Sequence, residues 1–277
     1  MSTRFYRESL GKLSECVDRM NAERVDFLIE LGDFKDENRP PVEEMTLLHL
    51  RDIEAVFQRF QGPAYHVLGN HDMDSISKQQ FLARVENTGI DPARSYYSFE
   101  VKGLHFIVLD ANYQADGSDY DHGNFNWTDS NVPAQELDWL EQDLAASHDP
   151  VIVFIHQLLD GKGPVYVKNA PEVHRILKAS GRVLAVFQGH HHEGEYSRID
   201  GIPYYTLKAV VEGHGQDNNS YAIVEVQPDQ SVIVTGYHKA PSMELTHIST
   251  AMVKPSPSYA GWQRQAKLAD GLSILLK

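Results

Sequence analysis

Four apolar segments of strand length each end in a residue type that binds metal ions. Residues 26–31 run into Gly32-Asp33, 63–68 into Gly69-Asn70-His71-Asp72, 151–155 into His156, and 183–188 into Gly189-His190-His191-His192. A short apolar run bounded by turn residues reads as a buried strand. In open α/β sheets, sites gather where strands reach their carboxyl ends. One such histidine carries little weight, because lone histidines are mostly surface or satisfied core groups. A His-rich tract alone binds metal only loosely. Four such ends in this order constrain the chain far more than any one of them.

Between these ends, helices and strands alternate. Leu10, Leu13, Val17 and Met20 recur at helical spacing, which predicts an amphipathic helix over 6–21. Helices are also predicted over 42–60, 78–88, 133–147 and 171–180. Segments 96–100 and 105–109 form a predicted hairpin through Lys102-Gly103. Residues 111–131 read as a long surface loop, and loops of that length inside a domain are often functional. From 195 to 237 four strand-like runs with short turns predict a second, antiparallel sheet. After Pro241 the periodicity is lost, so 1–240 is expected as the domain and 241–277 as a C-terminal extension. The fold class is therefore α/β of the α+β kind, two packed sheets flanked by helices.

The residue types dictate a chemistry. Two-metal hydrolysis needs a carboxylate able to bridge cations about 3.5–4 Å apart, with neutral imidazole and amide oxygen donors around it. Such a set suits Mn²⁺, Fe or Zn²⁺. No cysteine lies near the four ends, which argues against a structural zinc. The lone Cys16 excludes an intrachain disulfide and fits a reducing compartment. A net charge of −14 argues against a nucleic-acid partner, because phosphate backbones need clustered Lys and Arg. It leaves room for a small phosphorylated substrate, since bound cations invert the local field. With no signal-peptide or membrane-spanning run in the sequence, a cytoplasmic location and no membrane partner are expected.

Gly32-Asp33, Gly69-Asn70-His71-Asp72, His156 and Gly189-His190-His191-His192 together resemble the motif series of the calcineurin-like metallophosphoesterases, over roughly residues 4–240. Within that superfamily, the run Phe5-Tyr6-Arg7-Glu8-Ser9-Leu10 followed by Asp26-Phe27 and Gly32-Asp33-Phe34-Lys35-Asp36 is similar to the manganese-dependent ADP-ribose/CDP-alcohol diphosphatase branch. The resemblance implies a four-layer sandwich of two mixed sheets. It also implies hydrolysis of a phosphodiester, diphosphate or phosphomonoester by a metal-activated hydroxide. Asp33 would bridge two metals. Asn70, His156 and His190 would complete the second metal's shell, and His192 would serve the first. His71 would sit by the substrate phosphate, stabilising charge or protonating the leaving oxygen. Asp72 is either a partner orienting His71 or a turn-stabilising carboxylate. His191, between alternate ligands on an extended segment, points away. Asp36 and Asn38 either support the site residues from behind or cap their loop, and the loop reading is favoured. Tyr113, Tyr120, His122, Phe125, Asn126 and Trp127 either stack on a nucleobase or sugar or pack on the domain.

One departure stands out. The family opens with a strand ending in Asp-x-His, both residues binding the first metal; nothing before Asp33 supplies it, and no His precedes His49. The slot of that central strand is expected to be empty, or filled by another segment or by a second copy of the chain. A homodimer is one expectation that follows, and a start downstream of the natural one is the explanation favoured. The ligand count predicts one well-formed metal site, a second left incomplete, and impaired catalysis. A non-catalytic scaffold with the same fold is the alternative reading, and a nuclease is disfavoured by the charge.

Overall fold

In a computed structural model of the protein, residues 3–245 and 271–274 are described. Helix α1 (Ser9–Glu23) buries Leu13, Cys16, Val17 and Met20 along one face and stops where Arg24 turns left-handed. Strand β1 (Leu28–Glu30) follows, then α2 (Glu43–Phe57), whose first turn carries Glu43 and Glu44 where the helix dipole favours negative charge. Strand β2 (Ala64–His66) pairs parallel to β1 with Ala64 opposite Leu28. Alternate residues of a strand face opposite ways. Tyr65 accordingly stacks on Phe99 at 3.8 Å, joining two sheets, while the ring of His66 meets Phe57 at 4.6 Å on the helix side.

The second sheet begins with β3 (Tyr97–Val101) and β4 (Leu104–Val108). Their hairpin turns through Lys102 and Gly103, at φ 52° and 76°. Two positive φ values match the right-handed twist of the strands. Helix α4 (Ala134–Ala146), β5 (Val151–Ile155), α5 (Ala170–Ser180) and β6 (Val183–Gln188) follow. On β5, Ile152 and Phe154 join the core between the sheets, while Val151, Val153 and Ile155 pack with Leu140 and Leu144 of α4 and Val173 and Leu177 of α5. Burial on both faces explains why β5 reads as an unbroken apolar run.

Two elements differ from the sequence reading. The predicted helix over 78–88 is only α3 (Lys78–Leu82). Beyond it the chain turns along the edge of β2, where Asn87 Oδ1 accepts from His66 N at 2.7 Å and Thr88 Oγ1 from Ala64 N at 3.0 Å. Covering an open sheet edge outweighs helical propensity here. Nor do the late strands form a separate antiparallel sheet. Strands β7 (Glu195–Ile199) and β8 (Ile202–Thr206) extend the second sheet, β8 parallel to β6, in the order β3-β4-β5-β6-β8-β7. Strands β9 (Ser220–Val226) and β10 (Val232–His238) join the first, so both sheets are mixed.

The missing first strand takes one of the forms that the sequence left open, a slot filled by another segment, although that segment comes from the expected C-terminal extension. Beyond β11 (Met243–Leu245), residues 246–270 lie outside the described residues. Strand β12 (Gly271–Ile274) then lies between β9 and β1, giving the order β11-β10-β9-β12-β1-β2. It runs parallel to β1, with Leu28 opposite Ser273, and antiparallel to β9, with Ile223 opposite Ser273. Another segment of the same chain thus fills the central slot. The described parts of 241–277 belong to the sheet.

Candidate metal centre

At the carboxyl end of β1 the backbone makes a tight turn, with Gly32 at φ 89° and Asp33 at φ 54°. A non-glycine residue at positive φ is uncommon and needs its surroundings to hold it there. The buried carboxylate of Asp72 does so. It accepts from Asp33 N at 3.1 Å, Phe34 N at 2.9 Å, Lys35 N at 3.3 Å and Gly69 N at 2.8 Å. Asp72 is therefore the turn-stabilising carboxylate, and it binds the two loops together. It is not the partner of His71. Gly69 is required by the closeness of these loops: a Cβ there would lie 2.1 Å from Asp33 N and 2.3 Å from Asp33 Oδ1.

Asp33, His156 and His190 converge, with one ligand atom from each lying within 4.8 Å of the others. Asp33 Oδ1 is 3.2 Å from His156 Nε2 and accepts from His71 N at 2.9 Å. His190 Nδ1 is 3.2 Å from His156 Nε2. His156 is fully buried at the end of β5, and its Nδ1 donates to Leu31 O at 2.7 Å. A carbonyl only accepts, so Nδ1 carries a proton and Nε2 is the nitrogen turned toward Asp33. With Nδ1 engaged in this way, Nε2 is the atom left to bind a cation beside Asp33. Asn70 starts the short helix that follows Gly69. Its Oδ1 is buried with no hydrogen-bond partner among the described residues, a costly state that ligation would relieve. The donors present, carboxylate, amide oxygen and neutral imidazole, fit a divalent cation.

His71 lies beside this cluster. Its Nδ1 is 3.5 Å from both Asp36 Oδ1 and Asp74 Oδ2. These three form a second group whose ligand atoms lie within 4.8 Å of one another. The charge of Asp33, followed by the bonds to Asp36 and Asp74, outweighs burial and pushes His71 up to about 10. These carboxylates favour the charged ring, and a cation on Asp33 would remove the largest of those causes. Lys35 fixes the arrangement from behind, bonding His71 O and Asp74. His192 stands outside the Asp33 cluster, with Nδ1 2.6 Å from Glu212 Oε1. Together with Asp33, His71 and Asp36 it lines a cavity of about 550 Å³. His191 is half exposed, with its ring 3.5 Å from Glu195 Oε2, and belongs to neither group. Asn38 contacts His49 at 3.2 Å, as a loop residue.

Several supporting residues escaped the sequence reading. Asp74 follows His71 by three positions, and this spacing was the available signal. Asn112 donates to Leu68 O at 2.8 Å and accepts from Gln157 Nε2 at 2.6 Å, tying the ends of β2 and β5 together. Glu30 Oε2 accepts from Gly32 N at 2.6 Å, and its Oε1 meets His66 Nδ1 at 3.2 Å. Glu54 of α2 approaches His66 Nε2 at 3.2 Å. A polar residue on an otherwise apolar strand, such as Glu30 or His66, was the only hint.

Comparison with known proteins agrees with this geometry. The family model for calcineurin-like phosphoesterase matches residues 7–194. A manganese-dependent ADP-ribose/CDP-alcohol diphosphatase from Oryza sativa is 27% identical, covering 83% of this chain and 83% of the relative. Its counterpart in Arabidopsis thaliana is 26% identical over 76% of this chain and 79% of its own. Among solved structures, a dimetal phosphatase from Danio rerio shares the fold, with a TM-score of 0.73 at 20% identity over 88% of this chain and 91% of that one. The chain belongs to the calcineurin-like phosphoesterases, metal-dependent hydrolases of phosphoester and diphosphate bonds.

Proposed function

We propose that the protein hydrolyses the diphosphate bond of a small nucleotide-type substrate, with manganese as its metal. The observation that carries this reading is the convergence of Asp33, His156 and His190 beside the buried, unsatisfied Asn70 Oδ1. The diphosphatase relatives, matched over most of both chains, support the bond and the metal. Asp33, Asn70, His156 and His190 hold the cation. When bound, it supplies Lewis-acid stabilisation of charge on the phosphoryl oxygens and a nucleophile at neutral pH.

The chain's own groups do the rest. Leu31 O fixes the His156 tautomer, so that Nε2 faces the cation. Asp72 holds the Asp33 and Gly69 turns rigid, so the ligands need no rearrangement on binding. His71, its Nδ1 turned to Asp36 and Asp74, serves the phosphoryl group or the leaving oxygen as charge develops there. We further propose that a second cation beside Asp33 and His192 binds weakly, because among the described residues these two are the only motif ligands on that side. Turnover of this chain is then slow.

The test is release of mononucleotide from ADP-ribose and from a CDP-alcohol, with bis-p-nitrophenyl phosphate as a generic diester, across added Mn²⁺. Metal-dependent turnover is expected, and Asn70→Ala should lower it by more than roughly 100-fold. Absence of metal-dependent turnover on all three substrates overturns the proposal.

A further inference from the structure

The long loop of residues 111–131 carries Tyr113, Tyr120, Phe125 and Trp127, and the structure separates their roles. Tyr120 is fully buried and stacks on Phe125 at 4.0 Å with an interplanar angle of 1°. The ring of Tyr113 lies under Lys78 Nζ at 3.6 Å. These aromatics are used up inside the loop. Trp127 is not: it is 42% exposed, and its ring centroid lies 5.9 Å from that of His190, tilted by 56°. His190 in turn meets His156 edge-on at 5.1 Å. An open indole therefore adjoins an imidazole of the metal centre itself.

The loop holds this indole in place. Gly123 N donates to Met73 O at 2.8 Å and His122 N to Ile76 O at 3.2 Å, fastening the loop to the segment that carries Asn70 and His71. Just before Thr128, Asn126 Oδ1 accepts from Thr128 N at 3.1 Å and from Thr128 Oγ1 at 2.8 Å. Tyr120 Oη donates to Asp129 O at 3.0 Å on the far side. The chain on either side of Trp127 is thus held, while much of its ring stays open to solvent.

We propose that Trp127 is the platform on which a planar ring of the substrate, a nucleobase, stacks while the adjoining phosphate sits at the metal centre. The inference rests on the nucleotide-diphosphate reading above and adds the residue that selects for the ring. Aromatic side chains stack on any base face, so the platform selects nucleotides over ring-free phosphates without choosing among bases. A rigid indole does so at small entropic cost.

Binding separates this role from a merely structural one without requiring turnover. In the presence of Mn²⁺, the dissociation constants of AMP and of ribose 5-phosphate, which lacks the ring, are measured for wild type, Trp127→Ala and Trp127→Phe. For Trp127→Ala, AMP should bind roughly tenfold more weakly. Ribose 5-phosphate should be unchanged within about twofold, and Trp127→Phe should retain most of the AMP affinity. The intrinsic fluorescence quench produced by AMP should vanish in both variants, since the reporting indole is gone. Equal weakening of both ligands would mean that Trp127 only covers His190, and unchanged AMP binding would mean that it touches nothing; either result overturns the proposal. A wild type that binds AMP through Trp127 yet hydrolyses no diphosphate would reject the function reading and leave the platform standing.

Discussion

Asp72 shows how much of the centre rests on a residue that touches no substrate. Four backbone N–H groups from two loops converge on its carboxylate, 38 residues apart in sequence for the Phe34 bond. Removing that acceptor strands buried donors, each costing about 1–3 kcal/mol. Asp72→Ala should therefore destabilise the fold by about 3 kcal/mol or more and weaken Mn²⁺ binding with it. Chemical denaturation and a metal titration check both effects. If Asp72 instead acted by orienting His71, the pH profile of turnover would change while stability stayed near wild type. Gly69 offers a sharper test at the same spot. A methyl group there overlaps Asp33 N and Oδ1, at 2.1 and 2.3 Å, and backbone cannot swing aside as a side chain can. Gly69→Ala should abolish metal-dependent turnover, whereas Gly117→Ala, where an added Cβ meets nothing within 4 Å and only the local φ of 83° is strained, should lower stability slightly and leave turnover intact.

Among the elements, the contact between α2 and the β1–β2 pair has its own electrostatic signature. His66 is buried between Glu30 of β1 and Glu54 of α2. Burial pulls its pKa down, but the bonds to Glu30 and Glu54 and their charges outweigh it and push it up to about 9. A raised histidine contributes stability that is complete below its unfolded value, near 6.5, and is lost as pH climbs through about 9. The expected loss between these pH values is up to about 3 kcal/mol. Denaturation midpoints should fall across that window in wild type and stay flatter in His66→Gln; parallel curves would exclude the role. The same residues mark what sequence can and cannot reveal. Asp33, Asn70, His71, His156 and His190 were legible because their chemistry is specific and each follows an apolar strand. Glu30 and His66 were not read as supports, because their partners lie far along the chain and only the fold identifies them; for Asp72 the sequence left two roles open, and its bonds to the Asp33 turn pick the turn-stabilising one. Likewise 83–88 reads as helix by propensity and is diverted by the exposed edge of β2.

At the scale of the whole molecule, the first sheet depends on a pairing that no local pattern announces. The sequence lacks the family's first strand, and another segment or a second copy of the chain were the two ways to fill its slot; β12 lies in that slot, so the reason for expecting a homodimer is removed. The four residues of β12 have no neighbour closer in sequence than β9, and their pairing with β1 joins residues 28 and 273. Such contacts close very long loops and are set by the register of the finished sheet rather than by propensity. The consequence for function is direct, because β1 leads into Asp33, and β12 is one of its two flanking strands. Proline at position 273 removes an N–H from a central strand and forces its ring into a ladder bonded on both sides. Ser273→Pro should destabilise the protein by about 3 kcal/mol or more and lower Mn²⁺ affinity as the Asp33 turn loses its support. Ser273→Ala, which leaves the backbone unchanged, serves as the control. Equal denaturation midpoints for the two variants would show that the first sheet stands without β12, and that the metal centre owes it nothing.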